Sequence, residues 1–169
     1  MRYDRIDSKL FIENRKRFAS HLPAGAMAIF NANDVMPTNA DGTLPFVQNR
    51  DLFYLSGVDQ EESILVIFPD AFNSRYKEIL FLVETNDQIA RWEGAKLDKE
   101  QATAVSGVET VFWLSDFDKV LRELICQSKS VYLNSNEQLR AASPVETRDD
   151  RFRKMLMEKY PLHEYERAA

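Results

Sequence analysis

FVQNRDLFYLSG, at residues 46–57, brings amides, a carboxylate, a guanidinium and three aromatic rings together within twelve residues. Its polar start and final glycine predict one short helix, with Asn49 as the N-cap and Gly57 as a left-handed C-cap. Asp51 then falls in the first turn, near the positive end of the helix dipole. The run at 52–55 is too apolar for a solvated helix, so we expect it to be buried on more than one side.

Apolar runs of strand length alternate with helical patterns on both sides of this stretch. Strands are predicted at residues 26–30, 64–68, 79–83, 108–113 and 131–133. About ten residues separate the second run from the third, which predicts an antiparallel hairpin. A helical pattern at 115–125 joins the last two runs and predicts a β-α-β unit with a right-handed parallel crossover. The fold class is therefore α/β, a mixed β-sheet of about five to six strands flanked by helices.

The remaining helices are predicted from their caps. Residues 7–22 are predicted to form an amphipathic helix capped by Asp7 or Ser8. Residues 86–106 are predicted to form two helical pieces, the second with a capping box of Asp98 and Gln101. Thr147 begins the last helix, and residues 161–169 follow it as a tail. The loop at 31–45 is long enough to suggest a function. The solvated face of the first helix is predicted to hold Glu13, Arg15, Lys16 and Arg17.

Composition and charge limit the classes of function. With 169 residues, 44% hydrophobic and 29% charged, the chain has the size and composition of one globular domain. The net charge of −5 argues against a nucleic-acid partner, and no apolar run is long enough to span a membrane. A single cysteine, Cys126, is predicted to be a buried or half-buried thiol. Without a partner for a disulfide and without a signal peptide, the chain is expected to be cytoplasmic.

The residues that commonly form catalytic sites are scattered along the chain. The two histidines, His21 and His163, lie near opposite ends of the sequence. Asp149 and Asp150 form one of three carboxylate pairs, and all three pairs are predicted either to follow a turn or to occupy helix N-termini. The sequence has no nucleophile-elbow, dinucleotide or Walker motif. We therefore expect no catalytic residue and no metal or cofactor in this chain.

The pattern F-x-Q-N-x-D-L-x-Y-L-S-G at 46–57, followed by an apolar strand, resembles the N-terminal domain of Xaa-Pro aminopeptidases. These enzymes form the aminopeptidase P group of the creatinase/prolidase superfamily. Other segments occur in the family's order: an Arg-rich opening helix and the Pro-Ala-Gly turn at 23–25 before this pattern, and the tract RWEGAKL at 91–97 after it. The resemblance covers about residues 10–113 and is weak from residue 134 onward.

This resemblance implies that residues 1–169 are a single non-catalytic domain, leading into a C-terminal catalytic domain that is absent from this chain. In the family, that second domain removes an N-terminal residue that precedes proline. It does so at a two-metal site, usually manganese, so two Mn²⁺ ions are expected there. The N-terminal domain helps to assemble a homo-oligomer and overhangs the cleft that binds the peptide substrate. The implied partners are thus the catalytic domain, further copies of the chain and a peptide with proline at its second position.

Two sets of residues are candidates for these roles. Trp92 corresponds to the tryptophan that reaches the substrate region in the family, although Ile89 and Trp92 could instead pack onto the sheet. Ala95 stands near a position at which many relatives carry basic residues, which weakens the case for a charged contact there. The second set is predicted either to fix a loop through a satisfied polar network or to act at a subunit interface. It consists of Asn49, Arg50, Asp51 and Tyr54.

Two other functions remain open from the sequence. The chain could belong to a peptidase-like protein that has lost its chemistry and serves as a protein-binding module. It could also be the N-terminal domain of a creatinase or prolidase that acts on a different small substrate. Substrate choice in this superfamily is made mostly in the catalytic domain.

Overall fold

A computed structural model describes residues 6–86, 96–135 and 145–168 of the chain. The helices in these ranges are α1 Ser8–His21, α2 Arg50–Ser56, α3 Lys99–Ser106, α4 Phe117–Ile125 and α5 Arg148–Lys159. The strands are β1 Ala26–Asn31, β2 Ile64–Ile67, β3 Glu78–Leu82, β4 Thr110–Trp113, β5 Ser130–Leu133 and β6 Glu164–Arg167. The predicted fold class, a mixed sheet flanked by helices, is confirmed.

The six strands form one sheet in the order β4-β3-β2-β1-β5-β6. Strand β2 is antiparallel to both of its neighbours, whereas the β1–β5, β3–β4 and β5–β6 pairs are parallel. The predicted hairpin is present as β2 and β3, with Ile64 opposite Phe81. Strands β4 and β5 run in the same direction, as predicted for the β-α-β unit, but three strands separate them.

Both faces of the sheet are buried because its central strands are apolar at successive positions. One face packs against α4 and α5 through the side chains Met27, Ile29, Val66, Phe81, Leu121, Leu124, Val131 and Leu156. The other face packs against α1, α2 and α3 through Phe18, Ala28, Phe30, Leu52, Leu55, Leu65, Leu80 and Ala102. The chain therefore forms three layers, with the sheet in the middle.

Most helix caps lie where the sequence predicted them. Asp7 caps α1 by accepting from the amide of Lys9, and Asp98 forms the predicted capping box with Gln101. The start of α4 differs from the prediction. A 3₁₀ turn, Leu114–Asp116, comes before this helix, which begins at Phe117 rather than directly after Ser115.

In the C-terminal half the structure has one strand that the sequence did not predict, and it contradicts one sequence prediction. The tail after α5 contains β6, which pairs with β5 and is held by Tyr165, whose hydroxyl donates to the carbonyl of Leu156 at 2.9 Å. This strand has no apolar alternation because it is a charged edge strand, EYER. Cys126 is exposed rather than buried, because it lies at the C-cap of α4, just past the buried Ile125.

The largest correction concerns Arg15, which was predicted to be solvated and is fully buried, with 0% of its surface exposed. Its Nε donates to a carboxylate oxygen of Glu78 on β3 at 2.8 Å. Its Nη1 donates to the carbonyls of Leu55 at 2.8 Å and Ser106 at 2.9 Å. One guanidinium thus joins α1 to the C-terminal ends of α2 and α3 and to the start of β3.

The two helix ends that Arg15 contacts have the same sequence, Ser-Gly-Val, at residues 56–58 and 106–108. In both, the serine hydroxyl donates to the carbonyl four residues earlier and accepts from the valine amide. Gly57 and Gly107 have φ values of 68° and 70°, which confirms the left-handed C-cap predicted for Gly57. A Cβ at Gly57 would lie 2.2 Å from the ring of Phe11, so α1 packs directly on this glycine.

Replacing Arg15 with methionine is expected to lower the free energy of unfolding by about 2 to 4 kcal/mol, mainly because two buried carbonyls lose their donor. The substitution removes the donors for two helix-terminal carbonyls and leaves Glu78 without its ion-pair partner. Urea unfolding measures the change. Arg17→Met, at an exposed position of the same helix, is the matched control and should change stability by about 0.5 kcal/mol or less. Equal losses in both variants would contradict the role assigned to Arg15.

Candidate functional site

Helix α2 is fixed at its start by amide side chains from the 46–57 stretch. Asn49 is the N-cap, as predicted, and its Oδ1 accepts from the amides of Asp51 at 3.0 Å and Leu52 at 3.2 Å. The preceding residue, Gln48, is buried, and its Oε1 accepts from the amide of Asn49 at 2.8 Å. The position of the first turn therefore depends on two consecutive amide side chains.

Gln48 also holds the segment that leads into β2. Its Nε2 donates to the carbonyls of Val58 at 3.0 Å and Gln60 at 2.9 Å. Gln60 in turn accepts from the amide of Leu97 through its side-chain oxygen at 2.8 Å. Gln48 belongs to the 46–57 motif, but the sequence predicted no role for it. Gln48 thus joins the start of α2 to residues 57–63, and Gln60 joins that segment to the approach to α3.

A cluster of polar side chains lies where strands β1 and β5 end, and we call it the β1–β5 crevice. It consists of Asn31, Asn49, Asp51, Asn134 and Asp149. The amide of Asn134 donates to Asp51 at 3.1 Å and to Asn49 Oδ1 at 3.4 Å. The amide of Asn31 donates to Asp149 at 3.0 Å. Asn31 ends β1, Asn134 follows β5, and the other members lie at the starts of α2 and α5.

The topology of the sheet creates this crevice. Strands β1 and β5 are parallel, so their carboxyl ends lie at the same edge. The chain leaving β1 continues to α2 on one face of the sheet, and α5, which follows β5 in the chain, packs on the other face. Strand order in α/β proteins opens a crevice at such a point, and ligands commonly bind there. The crevice is therefore the first place in this fold to look for a ligand.

The neighbouring carboxylates of α5 have opposite electrostatic environments. Burial raises the pKa of Asp149 to about 6, and the charges of Asp150 and Asp51 add to this rise, against the hydrogen bond from Asn31. Hydrogen bonds from the side chain and backbone of Thr147 lower the pKa of Asp150. The sequence predicted both carboxylates in the first turn of this helix; Asp150 forms a capping box with Thr147, whereas Asp149 accepts from Asn31.

The structure brings together only part of the predicted site. Asn49 and Asp51 share the crevice, whereas the side chains of Arg50 and Tyr54 are exposed on α2. Trp92 lies outside the described residues. Asn31 and Asn134 were not predicted as site residues, although each is a polar residue at the end of an apolar strand. The contact of Asn134 with Asp51 spans 83 residues of sequence, and no local pattern predicts such a contact.

Apolar side chains are exposed along α1, α2 and the loop between β1 and α2, and we call this region the α1–α2 surface. Its members are Ile6, Leu10, Val35, Met36, Leu44, Val47 and Tyr54. Val47 lies between two hollows, one of about 460 Å³ beside Leu10 and Phe53, and one of about 300 Å³ beside Met36 and Asp149. Exposed apolar side chains that adjoin one another in this way are typical of a contact surface.

Within residues 6–86, 96–135 and 145–168, no three histidine, cysteine, aspartate or glutamate side chains are grouped so that they could hold a metal ion. His163 instead contacts the carbonyl of Ile125 through Nε2 at 2.7 Å. In the same ranges, every helix is too short or too polar to cross a membrane.

Asp149→Asn is expected to raise the free energy of unfolding at pH 7.5 by about 1 to 3 kcal/mol. An acid whose pKa is 3.8 in the unfolded chain and about 6 in the folded one destabilises the fold when it ionises. The gain should therefore shrink as the pH falls from 6 to below 4. Asp150→Asn is the matched control and should act in the opposite direction, lowering stability at pH 7.5, because its pKa is lowered in the folded state. Urea unfolding at several pH values tests both variants, and a loss of stability in Asp149→Asn at pH 7.5 would contradict the assignment.

Proteins similar to this chain in sequence and fold include peptidases. Intermediate cleaving peptidase 55 from Saccharomyces cerevisiae is 27% identical over 136 residues, which cover 76% of this chain and 25% of that protein. The Xaa-Pro aminopeptidase of Escherichia coli is 23% identical over 128 residues, or 75% of this chain and 29% of that protein. A Bacillus anthracis structure described as an aminopeptidase P superimposes with a TM-score of 0.83 at 26% identity, covering 96% of this chain and 38% of that one.

The family model for the aminopeptidase P N-terminal domain matches residues 11–132. This range runs from α1 to β5 and includes the 46–57 stretch on which the sequence resemblance depended. The resemblance is confirmed, and the chain belongs to the aminopeptidase P N-terminal domain family.

Proposed function

We propose that this chain acts as the non-catalytic N-terminal domain of a metal-dependent Xaa-Pro aminopeptidase. The observation that carries the proposal is the family match over residues 11–132. The chain spans about a quarter of the length of the relatives that it matches. The proposal places the hydrolytic site, with two Mn²⁺ ions, in the remainder of the longer protein, where paired metals would activate water and polarise the scissile carbonyl.

The role proposed for the domain is to make contacts, with the rest of the protein and between copies in a homo-oligomer. The α1–α2 surface supports this role, because Leu10 is 49% exposed and Val47 is 65% exposed beside two hollows. Below this surface, α1 and α2 are held together by aromatic packing and a hydrogen bond. Phe11 on α1 contacts Phe53 on α2 edge to face, and the amide of Asn14 donates to the carbonyl of Tyr54 at 2.9 Å. A rigid apolar surface loses little conformational entropy when a partner binds.

A further part of the proposal is that the domain borders the substrate cleft. Trp92 is the residue proposed to contact a peptide with proline at its second position. Arg50 and Tyr54 are both exposed on α2 and are available for a subunit contact. The proposed compartment is the cytoplasm, which is consistent with a single cysteine in the chain.

Hydrolysis of Xaa-Pro peptides in the presence of Mn²⁺ tests the central claim. It should be measured for residues 1–169 and for the complete product of the gene under the same conditions. We expect turnover by the complete product and none by residues 1–169. Turnover by residues 1–169 would overturn the non-catalytic role. Peptide binding without turnover by the complete product would favour an inactive binding module instead.

A double substitution, Leu10→Asp with Val47→Asp, tests the contact surface. Both side chains are exposed in this domain, so the stability of residues 1–169 should change by about 1 kcal/mol or less. In the complete product the two carboxylates would be buried at a contact, so we expect the oligomer to dissociate or the activity to fall. Sedimentation velocity and peptide hydrolysis measure these effects. Phe72→Asp is the control, since Phe72 is 86% exposed and lies outside this surface. Equal effects of the two changes would contradict the assignment.

A further inference from the structure

We propose that the loop part of the α1–α2 surface is covered by the catalytic domain that follows β6 in the complete protein. This part consists of Val35, Met36, Leu44 and Val47. The inference rests on the proposed function, since it requires such a domain to follow, and it assigns one partner to one part of the contact surface. Three observations carry it: apolar side chains on a braced loop, the place at which the chain leaves the sheet, and the opposite position of the other strongly exposed apolar residues.

Hydrogen bonds within the loop between β1 and α2 hold these apolar side chains in place. The amide of Leu44 donates to the carbonyl of Met36 at 2.8 Å, and Nδ2 of Asn33 donates to the carbonyl of Val47 at 3.0 Å. The four apolar side chains are nonetheless 39% to 65% exposed. Met36, Leu44 and Val47 line the hollow of about 300 Å³. Apolar side chains that are fixed and exposed around a hollow indicate a protein partner.

The chain leaves the sheet close to this hollow. Strand β6 is parallel to β5, and β5 is parallel to β1, so all three strands end at the same edge of the sheet. The amide of Ala168, just after β6, donates to the carbonyl of Leu133 at 2.9 Å, and the residue after Leu133 contacts Asp51 at the start of α2. Neighbouring strands lie about 4.8 Å apart, so the end of β6 lies about 10 Å from the end of β1, where the hollow begins. A domain that continues from β6 therefore starts within reach of the loop.

The other strongly exposed apolar side chains lie at the opposite edge of the sheet. Phe72 is 86% exposed and follows β2, which is antiparallel to β1, and its amide donates to Gln127, which precedes β5. Leu162 is 96% exposed and precedes β6. A domain that starts at the end of β6 would have to extend back along the whole strand to cover either residue, so the loop is the nearer contact.

A domain in the same chain has an advantage over a second copy of the chain for this surface. A short linker gives the tethered partner an effective concentration of about 1 mM, whatever the concentration of the protein. A second copy binds only in proportion to its free concentration. The occupant that the structure favours is therefore the domain that follows β6 in the same chain.

Hydrogen exchange of the complete product of the gene, measured by mass spectrometry, tests the proposal. In the described part of the chain, the amides of Val35 and Val47 donate no hydrogen bond, so this domain alone gives them no protection from exchange. We expect both amides to exchange about tenfold or more slowly than in an unfolded peptide, because the covering domain must first move away. Met36→Asp should return both amides to the rate of an unfolded peptide, since a carboxylate would have to be buried against the partner.

Phe72→Asp is the matched control, because Phe72 is exposed at the opposite edge of the sheet, and it should leave the exchange of both amides unchanged. The amides of β1 should stay protected in both variants, which checks that the fold is retained.

The proposal is overturned if Val35 and Val47 exchange at the rate of an unfolded peptide in the complete product, or if the two variants have equal effects. It is also overturned if the slow exchange is lost when dilution separates the product into single copies, as measured by sedimentation velocity, because the partner is then a second copy. Hydrolysis of Xaa-Pro peptides is a separate readout. Slow exchange in a complete product that cleaves no such peptide would support the contact and reject the peptidase function.

Discussion

The ion pair of Arg15 with Glu78, together with the two carbonyls that the same guanidinium binds, is the constraint on which the helical layer depends. A charge buried in a protein interior is tolerated only when it is paired and hydrogen-bonded. Here the partners come from three elements that are far apart in sequence: α2, β3 and α3. The last carbonyls of a helix carry partial negative charge and lack partners within the helix, so one guanidinium stabilises two helix ends at once.

Fixing the end of α2 also determines where its beginning lies. The helix has seven residues, and a rise of about 1.5 Å per residue makes it about 10 Å long. With its C-terminal end held by Arg15 and its glycine packed under Phe11, its first turn has little freedom to move. That first turn carries Asn49 and Asp51 into the β1–β5 crevice. A structural ion pair on one side of the helix layer thereby positions the polar residues at the edge of the sheet.

Sequence patterns predict the elements of this fold that depend on interactions between residues close together in the chain. Five of the six strands and the caps Asp7, Asn49 and Asp98 follow from apolar runs and capping residues. Strand β6 does not, because a charged edge strand has no buried face to produce an alternating pattern. Arg15 lies among the exposed residues Glu13, Lys16 and Arg17, so the helical pattern alone gives no reason to bury it.

The signal that could have identified Arg15 is the repeated Ser-Gly-Val. Two helices that end with the same cap present equivalent carbonyls, and a buried donor between them is a reasonable expectation. The crevice gave no comparable signal, because Asn31, Asp51, Asn134 and Asp149 come from four separate segments and meet only through the strand order. For Asn49 and Asp51 the sequence predicted a polar network, but Arg50 and Tyr54, which come from the same turns of α2, face outward.

The polar clusters of this domain differ in how far their charges are compensated. The charge of Arg15 is neutralised by Glu78, although its Nη2, like Nε2 of Gln60, has no hydrogen-bond partner within the described residues. The crevice instead holds a carboxylate, Asp149, whose pKa is raised to about 6 by burial. Such an arrangement reduces stability at neutral pH. The crevice therefore makes the stability of the fold depend on pH near pH 6, whereas its other members, such as the N-cap Asn49, fix the start of α2.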